Sequence, residues 1–190
     1  MYDFTIIRSK RKTVSLEIRE DGTLEIRAPK RYTDQEAQAF LQANAGWIEK
    51  HRPGIMKKYG VLSALSKNDE KALKSAAELL LPQLTAQWAQ VMGVHPTSVR
   101  ITSAKKRFGS CGSDNGICFS RYLLLYPPEA VTFVVVHELA HIRHHNHGAA
   151  FHALVRATLP EADAWEDLLH PENADFTNLT RNLDILCKKS

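Results

Sequence analysis

The chain is expected to adopt an α+β fold, with an N-terminal β-hairpin and a mixed or antiparallel sheet. Three observations predict it. Two runs near the N-terminus alternate apolar and polar residues around Asp21-Gly22, two long stretches carry a helical period, and a second set of strand-like runs precedes an apolar helix rich in histidine.

Each element has a local reason. "TVSLEIRE" and "TLEIRAP" flank Asp21-Gly22, a dipeptide that tolerates the positive φ of a tight hairpin. "FTII" is a candidate third strand. Thr33, with Glu36 three residues on, forms a capping box that opens a helix over about 34–51. Its apolar stripe is Ala37, Phe40, Leu41, Trp47 and Ile48, and Pro53-Gly54 should end it. "KKYGVLSALSKND" reads as a linker. Ala72 to about Met92 is helical, with Gly93 as its stop and Pro82 predicting a kink or a break. "SVRITSA" is a strand, "KKRFGSCGSDNG" a turn-rich loop, and "ICFSRYLLL" a further strand. Pro127-Pro128 then introduces a helix that buries Val131, Val134 and Val135 on one side. A last helix spans Gly148 to about Leu159, closed by Pro160. The chain is expected to form one domain over 1–190, with a hairpin-and-helix part over about 1–60 and a larger part over about 67–190.

Composition excludes several classes. A chain of 190 residues with 44% apolar content can build one ordinary core, and 9 Gly with 8 Pro point to neither a disordered nor a fibrous protein. The net charge of +4 gathers in clusters at Arg8 to Lys12, Lys30/Arg31, Lys57/Lys58 and Lys105 to Arg107. Such runs are first of all solvated faces, and only second a surface for an anionic substrate or nucleic acid. Cys111, Cys118 and Cys187 fit no C-x-x-C spacing, so reduced thiols in a cytoplasmic protein are expected, with Cys111 a structural thiol rather than a nucleophile. The N-terminus turns basic too soon for a secretory signal, and runs such as "VTFVVV" are too short to span a membrane. No membrane partner is expected.

Six of the nine histidines lie between His137 and His152. His137 and His141 frame Glu138 as H-E-x-x-H. On a helix they stand about 40° apart and about 6 Å along the axis, so both rings can lean toward one cation. Glu138 emerges beside them, placed to reach a water without being a ligand. The third ligand is less direct. His144 and His145 stand too high on a continuous helix to close a tetrahedron, and suit its solvated end. His147 can serve if the chain turns back, for which Asn146 and Gly148 offer left-handed conformations. Glu161, separated from His141 by nineteen intervening residues, is the rival, at a spacing suited to a His2Glu site. A local turn completes the shell more simply, so His147 is favoured.

"HELAHIRHHNHGAAF" together with "KKRFGSCGSDNGICFSRYLLLYPP" resembles the YgjP-like metallopeptidase family, relatives of the SprT-like zincins. The family pattern is similar to R-W-G-S-C, a turn, a strand, H-E-L-A-H, and N-H-S/G with a following Phe. Here these are Arg107-Phe108-Gly109-Ser110-Cys111, His137 to His141, Asn146-His147-Gly148 and Phe151, with Phe108 in place of Trp. "RKTVSLEIREDGTLEIRAP" is typical as well, so the likeness covers most of the chain. It implies a zincin-like catalytic core with His137, His141 and His147 as metal ligands, Glu138 catalytic, and "GICFS" as the strand beside the cleft. Ile117 and Phe119 of that strand are then candidate substrate contacts, with Arg107 from the preceding loop. For one bacterial branch the resemblance implies instead pyrophosphate release from nucleoside triphosphates, UTP in particular.

The expected chemistry is metal-assisted hydrolysis with zinc, or another divalent ion, and with Glu138 moving the proton of the attacking water. A peptide is the first substrate class and a nucleotide the second. A non-enzymatic nucleic-acid-binding module ranks last, because it leaves Glu138 without a task. Arg107, Arg121 and His152 are candidates for a second electrophile.

Overall fold

The computed structural model describes residues 2–187, with side chains as far as Asp184, so the side chain of Cys187 lies outside the described residues. The chain divides into two compact units, Met1–Ala64 and Leu65–Ser190.

The first unit holds β1 (Phe4–Ser9), β2 (Ser15–Ile18) and β3 (Leu24–Pro29) in the order β1-β3-β2. β2 and β3 pair as an antiparallel hairpin with Ile18 opposite Leu24, while β1 joins β3 in parallel. Gly22 takes φ +84 in the turn, and its N–H donates to the Arg19 carbonyl at 2.9 Å. Ile18, Leu24, Ile26 and Ala28 of the sheet bury against Ala37, Leu41 and Ile48. The Thr33–Glu36 capping box is formed as expected and opens α1 (Asp34–Ala43).

The expected single helix over 34–51 is two. α1 stops at Asn44, whose side-chain amide donates to the Phe40 carbonyl at 2.8 Å, and α2 restarts at Ala45 and runs to Ala64. The break resets the helical phase, so Trp47 is 43% exposed and stacks on His51 instead of joining the apolar stripe. Pro53 does not end α2, and Pro82 does not divide α3 (Lys67–Met92). A proline removes the donor for the carbonyl four residues back. Here those carbonyls belong to Glu49 and Glu78, both exposed residues whose carbonyls water can satisfy. The expected linker is therefore mostly helix: α2 reaches Ala64, and Ser66 already caps α3 through a second capping box with Asp69.

The second unit adds β4 (Ser98–Thr102), β5 (Gly109–Cys111) and β6 (Gly116–Ser120) in the order β4-β6-β5, with β4 parallel and β5 antiparallel to β6. The strand expected through Leu125 ends at Ser120, whose hydroxyl accepts from the Tyr122 N–H and starts a 3-10 turn over Arg121–Leu125. Then come α4 (Pro128–Ala140), α5 (Ala149–Thr158), α6 (Ala162–Asp167) and α7 (Asn178–Cys187). α7 was not expected from pattern. It is tied in by Asn182, whose amide donates to the Leu124 and Tyr126 carbonyls at 3.1 and 3.0 Å.

α4 is buried on nearly every side rather than one. Ala130, Val131, Phe133, Val134, Val135, Val136, Leu139 and Ala140 are all in the core. It packs against α3, α5, α6 and α7 and against β5. A helix apolar all round belongs at the centre of a fold, and that position makes its C-terminal turn rigid. No helix among the described residues is long and apolar enough to cross a membrane.

Candidate metal centre

The last turn of α4 carries His137 and Glu138, and His141 caps it. Tight bonds close the helix there: Ile142 and Arg143 donate to the Leu139 and Ala140 carbonyls, each at 3.1 Å. The chain then doubles back, bringing His147 to the other two histidines. Neither Asn146 nor Gly148 takes the expected left-handed conformation. The Asn146 carboxamide oxygen instead accepts the Gly148 N–H at 3.3 Å, and Gly148 is extended at φ −77, ψ −179. An Asx turn does the work that a positive φ would have done.

The three imidazoles converge. One ligand atom from each of His137, His141 and His147 lies within 4.8 Å of the others, and among the described residues this is the group of side chains able to hold a metal. The Nε2 atoms of His137 and His147 are 3.1 Å apart. Two nitrogens sharing a tetrahedral zinc at about 2.0–2.1 Å lie about 3.3 Å from each other, so the donor set fits such an ion. Glu161 is not in this group; it precedes α6 as its N-cap.

Phe151 of α5 is the common floor, with its ring centre 4.9, 4.6 and 4.8 Å from those of His137, His141 and His147. Sequence reasoning placed His144 at a solvated helix end and overlooked its main chain. The His144 carbonyl lies 3.0 Å from Nδ1 of His141. With the proton held at Nδ1, the Nε2 lone pair faces the cluster. Burial, then the neighbouring histidines, pushes His137 down to about 4, and burial also lowers His141. Both rings are neutral near pH 7, as ligands must be.

Glu138 is 6% exposed. Burial raises its carboxyl to about 7, against the opposing pull of the Arg107 charge and of a hydrogen bond from the Cys111 backbone N–H. It shares a cleft of about 340 Å³ with the three histidines, His145 and the whole of β5. β5 is an edge strand. Phe108 and Gly112 turn their main chain toward β6, accepting from Ser120 and donating to Gly116 at 2.8 Å each. By pleat parity, the main-chain groups of Gly109 and Cys111 face the free edge.

The remaining candidates separate. Ile117 and Phe119 are corrected: both are fully buried in the core, with no surface for a substrate, while Cys118 between them is half-buried. Arg121 is tied into a structural cluster, paired with Glu70 and donating to the Tyr122 hydroxyl at 3.1 Å. Arg107 is exposed with its charge felt at Glu138, and His152 is exposed with its ring centre 6.4 Å from that of His147. The Cys111 thiol is held protonated by burial first, then by Glu138 and Asp114, which is unlike an activated nucleophile.

A solved structure resembling part of the chain is the metallopeptidase zymogen of Pyrococcus abyssi abylysin, 24% identical, covering 46% of this chain and 89% of that one at a TM-score of 0.42. No curated protein matches. The family described as YgjP-like, metallopeptidase domain, matches residues 12–61 and 53–172, and the chain belongs to that family.

Proposed function

We propose that this chain is a zinc-dependent peptidase in which His137, His141 and His147 hold the metal and Glu138 is the general base and acid. One juxtaposition carries the reading: a buried carboxylate in one cleft with both a convergent histidine triad and an edge strand. When bound, the ion supplies Lewis acidity, polarising the attacked carbonyl and making water acidic near neutrality. The three rings would supply the lone pairs that hold the ion, the number of protein ligands usual for catalytic zinc.

The free edge of β5 gives an extended peptide main chain a partner at Gly109 and at the Cys111 carbonyl, the Cys111 N–H being held by Glu138, and so orients the scissile bond over Glu138. Glu138 takes the proton from the attacking water and returns it to the leaving amine. A carboxyl near 7 is matched to both transfers. Arg107, whose charge is felt at Glu138, would steady charge developing on the substrate oxygen. The free thiols Cys111 and Cys118 suit a reducing, cytoplasmic setting.

A nucleoside triphosphate would need several cations converging on the cleft. Arg107 is a guanidinium whose charge is felt at Glu138, and the peptide reading is favoured by the free edge of β5 beside the histidines. A nucleic-acid-binding module would leave the Glu138 arrangement without use. The test is to incubate metal-loaded protein, wild type and Glu138→Gln, with a peptide library and a nucleoside triphosphate panel. Peptide cleavage that needs Glu138 is expected. Glu138-dependent pyrophosphate release without peptide cleavage would overturn the proposal.

A further inference from the structure

A second cavity, of about 250 Å³, shares His137 and His147 with the β5 cleft but is walled by α4, α5 and α6. Its volume is roughly eight times the ~30 Å³ share of one water in the liquid, room for one long side chain and no more. Phe133, Phe151, Val155 and Ala162 make its walls, and all four are buried. Arg156, Asp163 and Glu166, all exposed, make its mouth.

The charges at that mouth do not balance. The Arg156 guanidinium is spent on Asp163, with Nη2 to Oδ1 at 3.1 Å and Nε to the two carboxylate oxygens at 3.2 and 3.3 Å. Glu166 has no ion-pair partner among the described residues. One carboxylate is left over at the rim of an apolar shaft. A lysine or arginine side chain matches that layout, laying its aliphatic stem along the aromatic walls while its charged end stays at the wet mouth. An acidic side chain would meet Glu166 and find Arg156 already taken.

We infer that this cavity receives one side chain of a bound peptide, beside the bond under attack, and that Glu166 selects lysine or arginine there. The inference rests on the peptidase reading, since it takes the substrate main chain to lie along β5. Glu166 is a specificity determinant and has no part in the proton transfers.

The experiment uses full-length, metal-loaded protein, wild type and Glu166→Lys, on three peptides that differ only in carrying Lys, Leu or Glu next to the cleaved bond. With kcat/KM taken relative to the Leu peptide, wild type should favour Lys over Glu about fivefold, as expected of a partly exposed ion pair. Glu166→Lys should lose or reverse that order. An unchanged order in Glu166→Lys overturns the assignment while leaving peptide hydrolysis standing. Fluorescence anisotropy of the same labelled peptides on metal-loaded Glu138→Gln, with and without Glu166→Lys, separates the two readings. A Lys-over-Glu binding preference that Glu166→Lys abolishes, found while wild type cleaves none of the peptides, keeps the pocket and removes the peptidase. No binding preference overturns the pocket.

Discussion

Gly109 and Glu138 are packed so closely that a Cβ built on Gly109 would lie 2.6 Å from Oε1 of Glu138 and 2.8 Å from its Cγ. The glycine is there because the carboxylate is. Gly109→Ala should push the Glu138 carboxyl out of line, and a misplacement of about 1 Å costs about a hundredfold in rate. Peptidase activity should fall by that order while bound metal, measured by atomic emission, stays at the wild-type level. Loss of the metal along with the activity would mean that Gly109 supports the fold rather than the position of Glu138.

The same carboxyl sets a pH dependence on the stability of the metal-free protein. Its folded pKa of about 7 lies above the ordinary 4.5, so the folded state holds the proton more tightly than the unfolded state. Burying the neutral acid is therefore free below the ordinary value. The folded state then loses ground as pH rises and levels off once pH passes the folded value, a total of about 3 kcal/mol. Urea unfolding of metal-free wild type and Glu138→Gln should diverge between pH 4.5 and 8, with the Gln variant progressively the more stable. Parallel curves would mean that the carboxyl is not held protonated by burial.

Phe151 links fold stability to metal affinity, because one ring touches all three imidazoles. Phe151→Ala should destabilise by about 3–5 kcal/mol, as removal of a buried phenylalanine does. The rings then lose their shared support, and affinity for zinc should drop by about 10- to 100-fold, the usual effect of losing groups that orient ligands. Phe151→Leu, which fills most of the space, separates the two effects. Chelator competition on that folded variant should still show weakened binding.

Much of this site was legible because its signals are local. H-E-x-x-H needs only helical period, and the Thr33–Glu36 box and the Asp21-Gly22 turn are each complete within a few residues. What could not be read depends on tertiary surroundings. Pattern alone predicts a helix end at Pro53 and a kink or break at Pro82, because sequence does not show that the carbonyls they orphan belong to exposed residues. Ile117 and Phe119 were placed beside the cleft because strand membership alone does not say which side faces the core. The contact between Gly109 and Glu138 joins β5 to α4, and no local pattern announces it. The return of His147 was foreseen, but by a left-handed residue where the chain uses a side-chain hydrogen bond.

The choice of third ligand gives the sharpest contrast, because it divides residues by atom as well as by position. His147→Ala removes one of three converging donors and should lower zinc affinity by several orders of magnitude. Glu161→Gln lies outside the cluster and should leave affinity unchanged. His144→Ala is the informative control, since its ring is dispensable while its carbonyl still orients His141 through Nδ1. It should bind zinc as wild type does, whereas His141→Ala should not. Competition against a chromophoric chelator at fixed pH measures all four. A His147→Ala protein that kept wild-type affinity, or a Glu161→Gln protein that lost it, would transfer the third position from the returning loop to the start of α6.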